Sequence, residues 1–472
     1  MFVLLTFLAD CSVTDVWLVM AFWRYARRKL TSKLVLCGTI TLLVVGVFVL
    51  SKDTEPKKEE NDHALFLDSF ALRQHPYYGA DDVNGTYLNM DTIKEEQASR
   101  VQHLHNQCDA SPDTMVGLSS ESWAYGRIEI NKNSNYLYCP LLKVGSTFFR
   151  RVFYTMRERK QLLNPYIVPI NQALGAKRMV LEQILPLHSQ ATQAFLNGST
   201  SVIFVREPFS RILSGYVDKL FAPNPYFWSQ IGKHIISKYR PVAKIRQLMC
   251  GHDVTFAEFI EYLIEGELTN DTHRDAHFTP TYDQCKPCQI NYTVVGKMET
   301  FQTDVAFTLA QLGYNVSQEK LKQWAKDATH DAILDSTVSP FSWKFTVKKC
   351  MPWHEGLKRI WRKLQIRGII SIEEKFPWSP EISEKSITVR MFTERVKKLN
   401  SQADKSKLKK QKIDVLAQAF STVRREQLMK LVDIFKPDFQ LFQYDMYPDY
   451  IFNELLVSKI RKKNTIFKID SI

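Results

Sequence analysis

Two short segments carry cations and hydroxyls in the order that an anion-binding turn requires. The first is Lys143-Val144-Gly145-Ser146-Thr147, with Arg150 three residues on. A glycine between a strand and a helix lets backbone N–H groups turn toward an anion, and the two hydroxyls and the Lys143 ammonium add donors. Lysine precedes the glycine here, so this is not a Walker A loop, in which lysine follows the second glycine. The second segment is Phe204-Val-Arg-Glu-Pro-Phe-Ser-Arg-Ile-Leu-Ser-Gly-Tyr216. A strand ending at Arg206 and a helix opening at Pro208 put a guanidinium fork at the strand's end, with the Ser214 hydroxyl further along; a fork plus a hydroxyl suits phosphate. Each segment also has a plainer reading. The first could be an ordinary strand–helix turn, and the second a salt bridge from Arg206 or Arg211 to Glu207.

Two histidines could act as a base. His188 stands just before the second strand, and His277 lies beside a carboxylate in Asp275-Ala-His-Phe-Thr-Pro280. Cys285-Lys-Pro-Cys288 follows. Zinc would need a second ligand pair, for which Cys350 and His354 are loosely spaced, and a thioredoxin-like site would need the motif between a strand and a helix. Disulfides are the expected reading, and no metal is expected.

These groups need a frame. Asn135–Cys139, Ser201–Val205 and Tyr292–Gly296 read as short buried strands. Helical runs follow them at Thr147–Lys160, Phe209–Leu220 and Thr303–Leu312. Repeated strand–loop–helix units predict an α/β fold with a mainly parallel sheet, whose ligands bind at the carboxyl ends of the strands.

Taken together, the KxGST turn and, some sixty residues later, FVREPFSRxLSGY resemble the membrane-bound carbohydrate sulfotransferases of the human natural killer-1 and chondroitin/dermatan/GalNAc type. Asp275-Ala-His-Phe-Thr-Pro280, Cys285-Lys-Pro-Cys288, Gly296-Lys-Met-Glu-Thr300 and Phe435-Lys-Pro-Asp-Phe439 are similar to further blocks of that family, so the resemblance spans about residues 123–447. It implies a P-loop-like sulfotransferase fold and 3′-phosphoadenosine 5′-phosphosulfate as donor. Lys143, Val144, Gly145, Ser146, Thr147 and Arg150 would face the 5′-phosphosulfate, and Arg206 and Ser214 the 3′-phosphate. Lys143 would stabilise the leaving group, with His188, in the place where related enzymes keep a catalytic histidine, or His277 as base. The chain departs from the family at Leu142, at Phe148-Phe149 and at Phe278, departures that bear on the acceptor more than on the donor.

Composition sets the partners. The 472 residues carry 63 Lys and Arg against 50 Asp and Glu, a net charge of +13. Few of the basic groups lie in the first fifty residues, so the body is basic and suits anionic partners. Leu34–Leu50 has no charge, follows Arg24, Arg27, Arg28, Lys29 and Lys33, and is expected to be a single transmembrane signal anchor with a cytoplasmic residue 1–33 tail. Met20 is expected as an alternative start, with 1–19 an upstream extension. Five sequons (Asn84, Asn197, Asn270, Asn291, Asn315) and six cysteines follow the anchor, as expected of a lumenal Golgi protein. A polar stem is expected over 51–120, the catalytic domain over 121–455 with an exposed basic insertion, partly helical or mobile, at about 379–412, and a peripheral basic tail over 456–472. The expected partners are a glycan or proteoglycan acceptor and the membrane, with no nucleic acid; a homo-oligomer is compatible with the sequence. A glycosyltransferase is the rival enzyme, but the chain has no Asp-x-Asp element; an inactive glycan-binding protein on the same fold is the rival without chemistry.

Overall fold

A computed structural model describes residues 89–110 and 128–471, apart from 160, 161, 163, 182–184, 186–188, 272 and 273. The expected tail, the candidate span 34–50, most of the stem and His188 lie outside the described residues. Among the described residues no helix is long and apolar enough to cross a membrane.

The three expected strands form and lie side by side. β1 (Glu129–Asn131), β2 (Tyr136–Cys139), β3 (Thr200–Val205) and β4 (Val294–Lys297) make a four-stranded sheet in that order. β2, β3 and β4 are parallel, with Tyr138 opposite Val202 and Val202 opposite Val294; β1 adds antiparallel to β2 at one edge. β2 and β3 are buried nearly throughout, which is why they read as continuous apolar runs and not as alternating ones. Parallel neighbours need long crossovers, and helices supply them. α1 (Met90–Ala110) precedes the sheet, α2 (Ser146–Arg159) follows β2, α3 (Pro208–Tyr216) follows β3, α4 (Phe256–Thr269) lies between α3 and β4, and α5 (Phe301–Gln311) follows β4. α2 buries Phe148, Phe149, Val152, Phe153 and Met156 on one helical face, and Phe149 lies 4.4 Å from Phe204 of β3, centroid to centroid.

The body begins earlier than the expected boundary at 121. α1 docks on the sheet through Arg100, whose Nη1 donates to Asp304 at 2.8 Å and to the Val295 carbonyl at 3.2 Å. Asp304 also accepts from Gln97 Nε2 and from the Lys297 N–H. α1 reads as stem because its buried residues include polar ones, Gln97 and Arg100, that are satisfied inside the fold.

Residues 379–412 are not an exposed insertion. After α6 (Gln318–Ser342) and α7 (Trp353–Ile366), this region forms α8 (Val389–Gln402) and the start of α9 (Lys405–Phe420). Phe392, Val396 and Leu399 are buried, and Phe392 packs on Trp361 and Trp378. Asn400 Nδ2 donates to the Ile369 carbonyl, and Gln411 Nε2 to those of Gln365 and Ile370. One apolar residue per turn is enough to bury a helix face, and the many lysines between hide that stripe. The tail is peripheral over residues 456–462, which are mostly exposed, and packs into the core only beyond them. α10 (Arg425–Leu441) and α11 (Glu454–Lys463) precede Ile466, which is buried, and Phe467, which packs on Tyr216 and Phe221.

The cysteines pair as Cys108–Cys288, Cys139–Cys285 and Cys250–Cys350. Cys285 and Cys288 therefore serve different partners, so the CxxC is neither a zinc pair nor a redox dithiol. Of the second proposed pair, Cys350 is also bridged, and His354 Nδ1 hydrogen-bonds Ser383. The Cys108–Cys288 bridge closes 180 residues. Replacing both cysteines by serine is expected to cost about 2–4 kcal/mol of stability, read by denaturant unfolding, with α1 amide protection lost first.

Candidate active site

The turn after β2 holds its residues in left-handed backbone, with φ +69° at Lys143 and +81° at Gly145. Glycine adopts this freely and lysine does not, so the turn stores strain at the residue with the mobile charge. A Cβ on Gly145 would lie 2.7 Å from Phe301 Cε2. Val144 is buried beneath the turn, and Ser146 and Thr147 are the half-buried first residues of α2. Phe148 and Phe149, where the chain departs from its resemblance, form an aromatic bed with Phe204 and Phe301 under this turn. Both are buried packing residues.

Lys143 Nζ meets Asp218 Oδ2 at 2.8 Å. Asp218 sits in Val217–Phe221, a π-helical continuation of α3 whose wider turn carries the Ala222 N–H to the Val217 carbonyl. Lys219 Nζ approaches the same oxygen at 3.2 Å, and Lys363 Nζ of α7 approaches Oδ1 at 2.6 Å. Burial lowers the Lys143 ammonium to about 8 against the pull of Asp218, and the neighbouring lysines add to the lowering. Burial works against ionisation of Asp218 too, but Lys143, Lys363 and Lys219 hold it well below the usual carboxylate range.

His277 is brought to this cluster. Its Nδ1 lies 2.5 Å from Asp275 Oδ1, which also accepts the His277 N–H at 2.9 Å. Burial lowers the imidazole below its ordinary value, the Lys219 and Lys143 charges lower it further, and Asp275 resists. The ring stands edge-on to Phe227, over which Lys219 also lies. Nδ1 is engaged by Asp275, so Nε2 of the neutral ring is the atom left to take a proton.

Several motifs hold that histidine in place. Arg211 of α3 donates to the carbonyls of Thr279 and His277, and Gln284 Nε2 to those of Ala276 and Thr279. Asp438 of the Phe435–Phe439 motif accepts the N–H groups of Thr281 and Tyr282 at 2.7 and 2.8 Å. Gly215 lets Phe278 close in, since a Cβ there would lie 2.8 Å from its ring. Phe278 is thus a core residue.

Arg206 ends β3 beside the turn, its Nη1 3.5 Å from the Lys143 carbonyl. Burial lowers its guanidinium below the ordinary value, Glu299 and Glu207 oppose this, and Arg367 adds to it. Among the described residues Glu207 makes no salt bridge of the expected kind to Arg206 or Arg211; its carboxylate caps α3 by accepting the N–H groups of Phe209 and Ser210. Lys412 of α9 adds a further positive charge near Arg206. Ser214 is half-buried on α3 and, among the described residues, hydrogen-bonds neither the turn nor Arg206 through its side chain. The Arg150 charge acts on Glu129 and Tyr138 of the first two strands, whereas Arg151 grips Asp331 with both Nη atoms.

Sequence reasoning missed Asp218, Lys219, Lys363, Arg367 and Lys412. Lys219 and Asp218 stand a few residues past Ser214 and were within reach of a longer reading of that segment. The others come from helices far along the chain, and no spacing points to them. Among the described residues no three metal-ligating side chains gather.

A parallel sheet with an anion-type turn after one strand and an arginine after the next defines the class, and residues 127–364 match the sulfotransferase family. The chain belongs to that family. Human carbohydrate sulfotransferase 9 is 34% identical over 224 residues, 47% of this chain and 48% of its own length. Rattus norvegicus carbohydrate sulfotransferase 11 is 30% identical over 187 residues, 39% and 52% of the two chains. Human carbohydrate sulfotransferase 8 is 31% identical over 236 residues, 49% and 53%. The chain spans about half the length of these curated relatives. No solved structure matches it.

Proposed function

We propose that the chain is a carbohydrate sulfotransferase that moves a sulfo group from 3′-phosphoadenosine 5′-phosphosulfate to a hydroxyl of a glycan. The carrying observation is that Lys143 of the turn and the Asp275–His277 pair share one electrostatic neighbourhood next to Arg206 at the strand ends. The names of the relatives support a carbohydrate acceptor, and the basic, aromatic surroundings of His277 suit a chondroitin, dermatan, glucuronate-ended or GalNAc-bearing chain. The acceptor oxygen forms a bond to sulfur while the sulfur–oxygen bond to phosphate breaks. The acceptor proton passes to His277 Nε2, and the electron pair of the broken bond goes to the phosphate oxygen, where Lys143 and the turn's N–H groups answer the charge. The buried histidine–carboxylate pair beside a lysine favours this reading over a glycan-binding protein without chemistry.

The test is binding of adenosine 3′,5′-bisphosphate by the full-length chain, followed by transfer of labelled sulfo group to a panel of desulfated chondroitin, dermatan and GalNAc-ended oligosaccharides. A folded chain that binds no bisphosphate sinks the reading. Gly145→Ala is expected to weaken bisphosphate binding at least about tenfold, since the new methyl group meets the Phe301 ring in a backbone that alanine disfavours. An affinity equal to wild type would show that the turn does not hold the nucleotide.

We further place the body in the Golgi lumen on a type II anchor at 34–50. Asn197, Asn270, Asn291 and Asn315 are all exposed, as glycan acceptors must be, and three disulfides suit an oxidising compartment. Glycosidase-sensitive mass on the native chain is the check.

A further inference from the structure

Three ammonium groups on one carboxylate are more than a structural bridge requires. Asp218 receives Lys143 and Lys219 on Oδ2 and Lys363 on Oδ1. Three lysines against two ionised carboxylates, Asp218 and the nearby Asp275, leave a surplus of about one positive charge in a low-dielectric pocket. The Lys363 side chain is only 4% exposed, so water does not answer its charge. A buried surplus of this kind is costly unless an anion offsets it. A link that merely tied α7 to the π-helical turn would need one lysine, and α7 already has such a link one turn earlier, where Arg359 donates to the Phe221 and His252 carbonyls.

The two carboxylate oxygens sort the lysines. Lys143, from the turn after β2, and Lys363, from α7, are held on opposite oxygens of Asp218. Their ammonium groups therefore flank the Asp218 carboxylate, and the charges of Lys143 and Lys219 both reach His277. A sulfo group has three oxygens and can accept from more than one cation, whereas the departing phosphate oxygen is a single atom.

We propose that Lys363 is a second cation for the sulfo group in transfer, and that Asp218 is the positioning residue that sets Lys143 and Lys363 on its two sides. This rests on the sulfo-transfer reading above. The bonds made and broken are those already described: Lys143 faces the phosphate oxygen that receives the electron pair, Lys363 the sulfo oxygens, and His277 the acceptor's proton.

The donor and adenosine 3′,5′-bisphosphate differ by the sulfo group alone, so comparing them isolates Lys363. In calorimetry on the full-length chain, Lys363→Met is expected to raise the Kd for the donor about tenfold and leave that for the bisphosphate within about twofold. Lys363→Arg, which keeps the charge, is expected to recover most of the loss. Equal weakening of both nucleotides, or of neither, overturns the assignment of Lys363. Lys363→Gln, which can still hydrogen-bond Asp218, gives the same decision should the methionine variant fail to fold.

Asp218 is read by pH. The groups facing Lys143 are Asp218, Lys219, Lys363 and His277. Protonated Lys143 binds the donor, so wild-type affinity should fall as pH rises through about 8. Asp218 holds that proton on, and in Asp218→Asn the fall is expected at least about one pH unit lower. Asp218→Glu should restore the wild-type profile. An unmoved profile in Asp218→Asn overturns the positioning role. Wild type binding neither nucleotide would instead sink the sulfo-transfer reading itself, while wild type binding both with no effect of Lys363 sinks only this inference.

Discussion

Turnover of the His277→Ala variant is expected to fall about 10²–10⁴-fold, the range a positioned base supplies, while bisphosphate affinity stays within about twofold. The size follows from the geometry. Asp275 fixes the ring through Nδ1, and the carbonyl net from Arg211 and Gln284 fixes the loop, whereas Asp218, the carboxylate on Lys143, is held too far below the usual carboxylate range by its three lysines to serve as the base. The pH profile gives a second readout. Asp275 stays ionised because its hydrogen bonds from His277 outweigh its burial, and the imidazole titrates below the ordinary value near 6.5. Activity should therefore persist on mild acidification and fall only below that value, as His277 gains its proton. It should fall again on the alkaline side near 8, as Lys143 loses its own. His277→Ala should remove the acid limb and keep the alkaline one. If His188→Ala abolished turnover and His277→Ala did not, the base would lie in the segment before β3 and this assignment would be wrong.

Arg206→Ala is expected to weaken adenosine 3′,5′-bisphosphate binding by about 2–4 kcal/mol, one to three orders of magnitude. The guanidinium is held where burial disfavours its charge and Arg367 and Lys412 repel it, with Glu299 and Glu207 only partly offsetting this. A phosphate would relieve that repulsion, so the contact should be worth more than an exposed ion pair. The same reasoning predicts that thermal stability of Arg206→Ala equals or exceeds that of wild type, because a disfavoured charge is removed. Arg206→Lys should fall between the two in affinity, since it keeps the charge and loses the fork. Calorimetry and thermal unfolding on the same samples decide; lost affinity together with lost stability would mark Arg206 as a structural residue.

The site was legible in the sequence wherever one short segment builds one piece of it. Lys143 to Thr147 and Arg206 stand at strand ends because the apolar runs before them can only be buried strands, and Asp275 holds His277 two residues away by chain connectivity alone. The disulfides were legible as a class but not as pairs, because pairing depends on which loops meet. The lysine-rich stretch at 379–412 and the polar helix Met90–Ala110 misled because composition averages over a helix, whereas burial needs only one face of it.

What the sequence determined by itself is therefore the α/β framework, the two strand-end segments that carry Lys143 and Arg206, and the family resemblance, all set by local patterning within a few residues. What only the tertiary structure decided is the company those segments keep. Asp218 gathers Lys143 and Lys363, which lie 220 residues apart in the chain, and His277 is carried to them by Arg211, Gln284 and Asp438. Electrostatic coupling depends on distance through space, and sequence spacing does not encode the distance between elements joined by long crossovers.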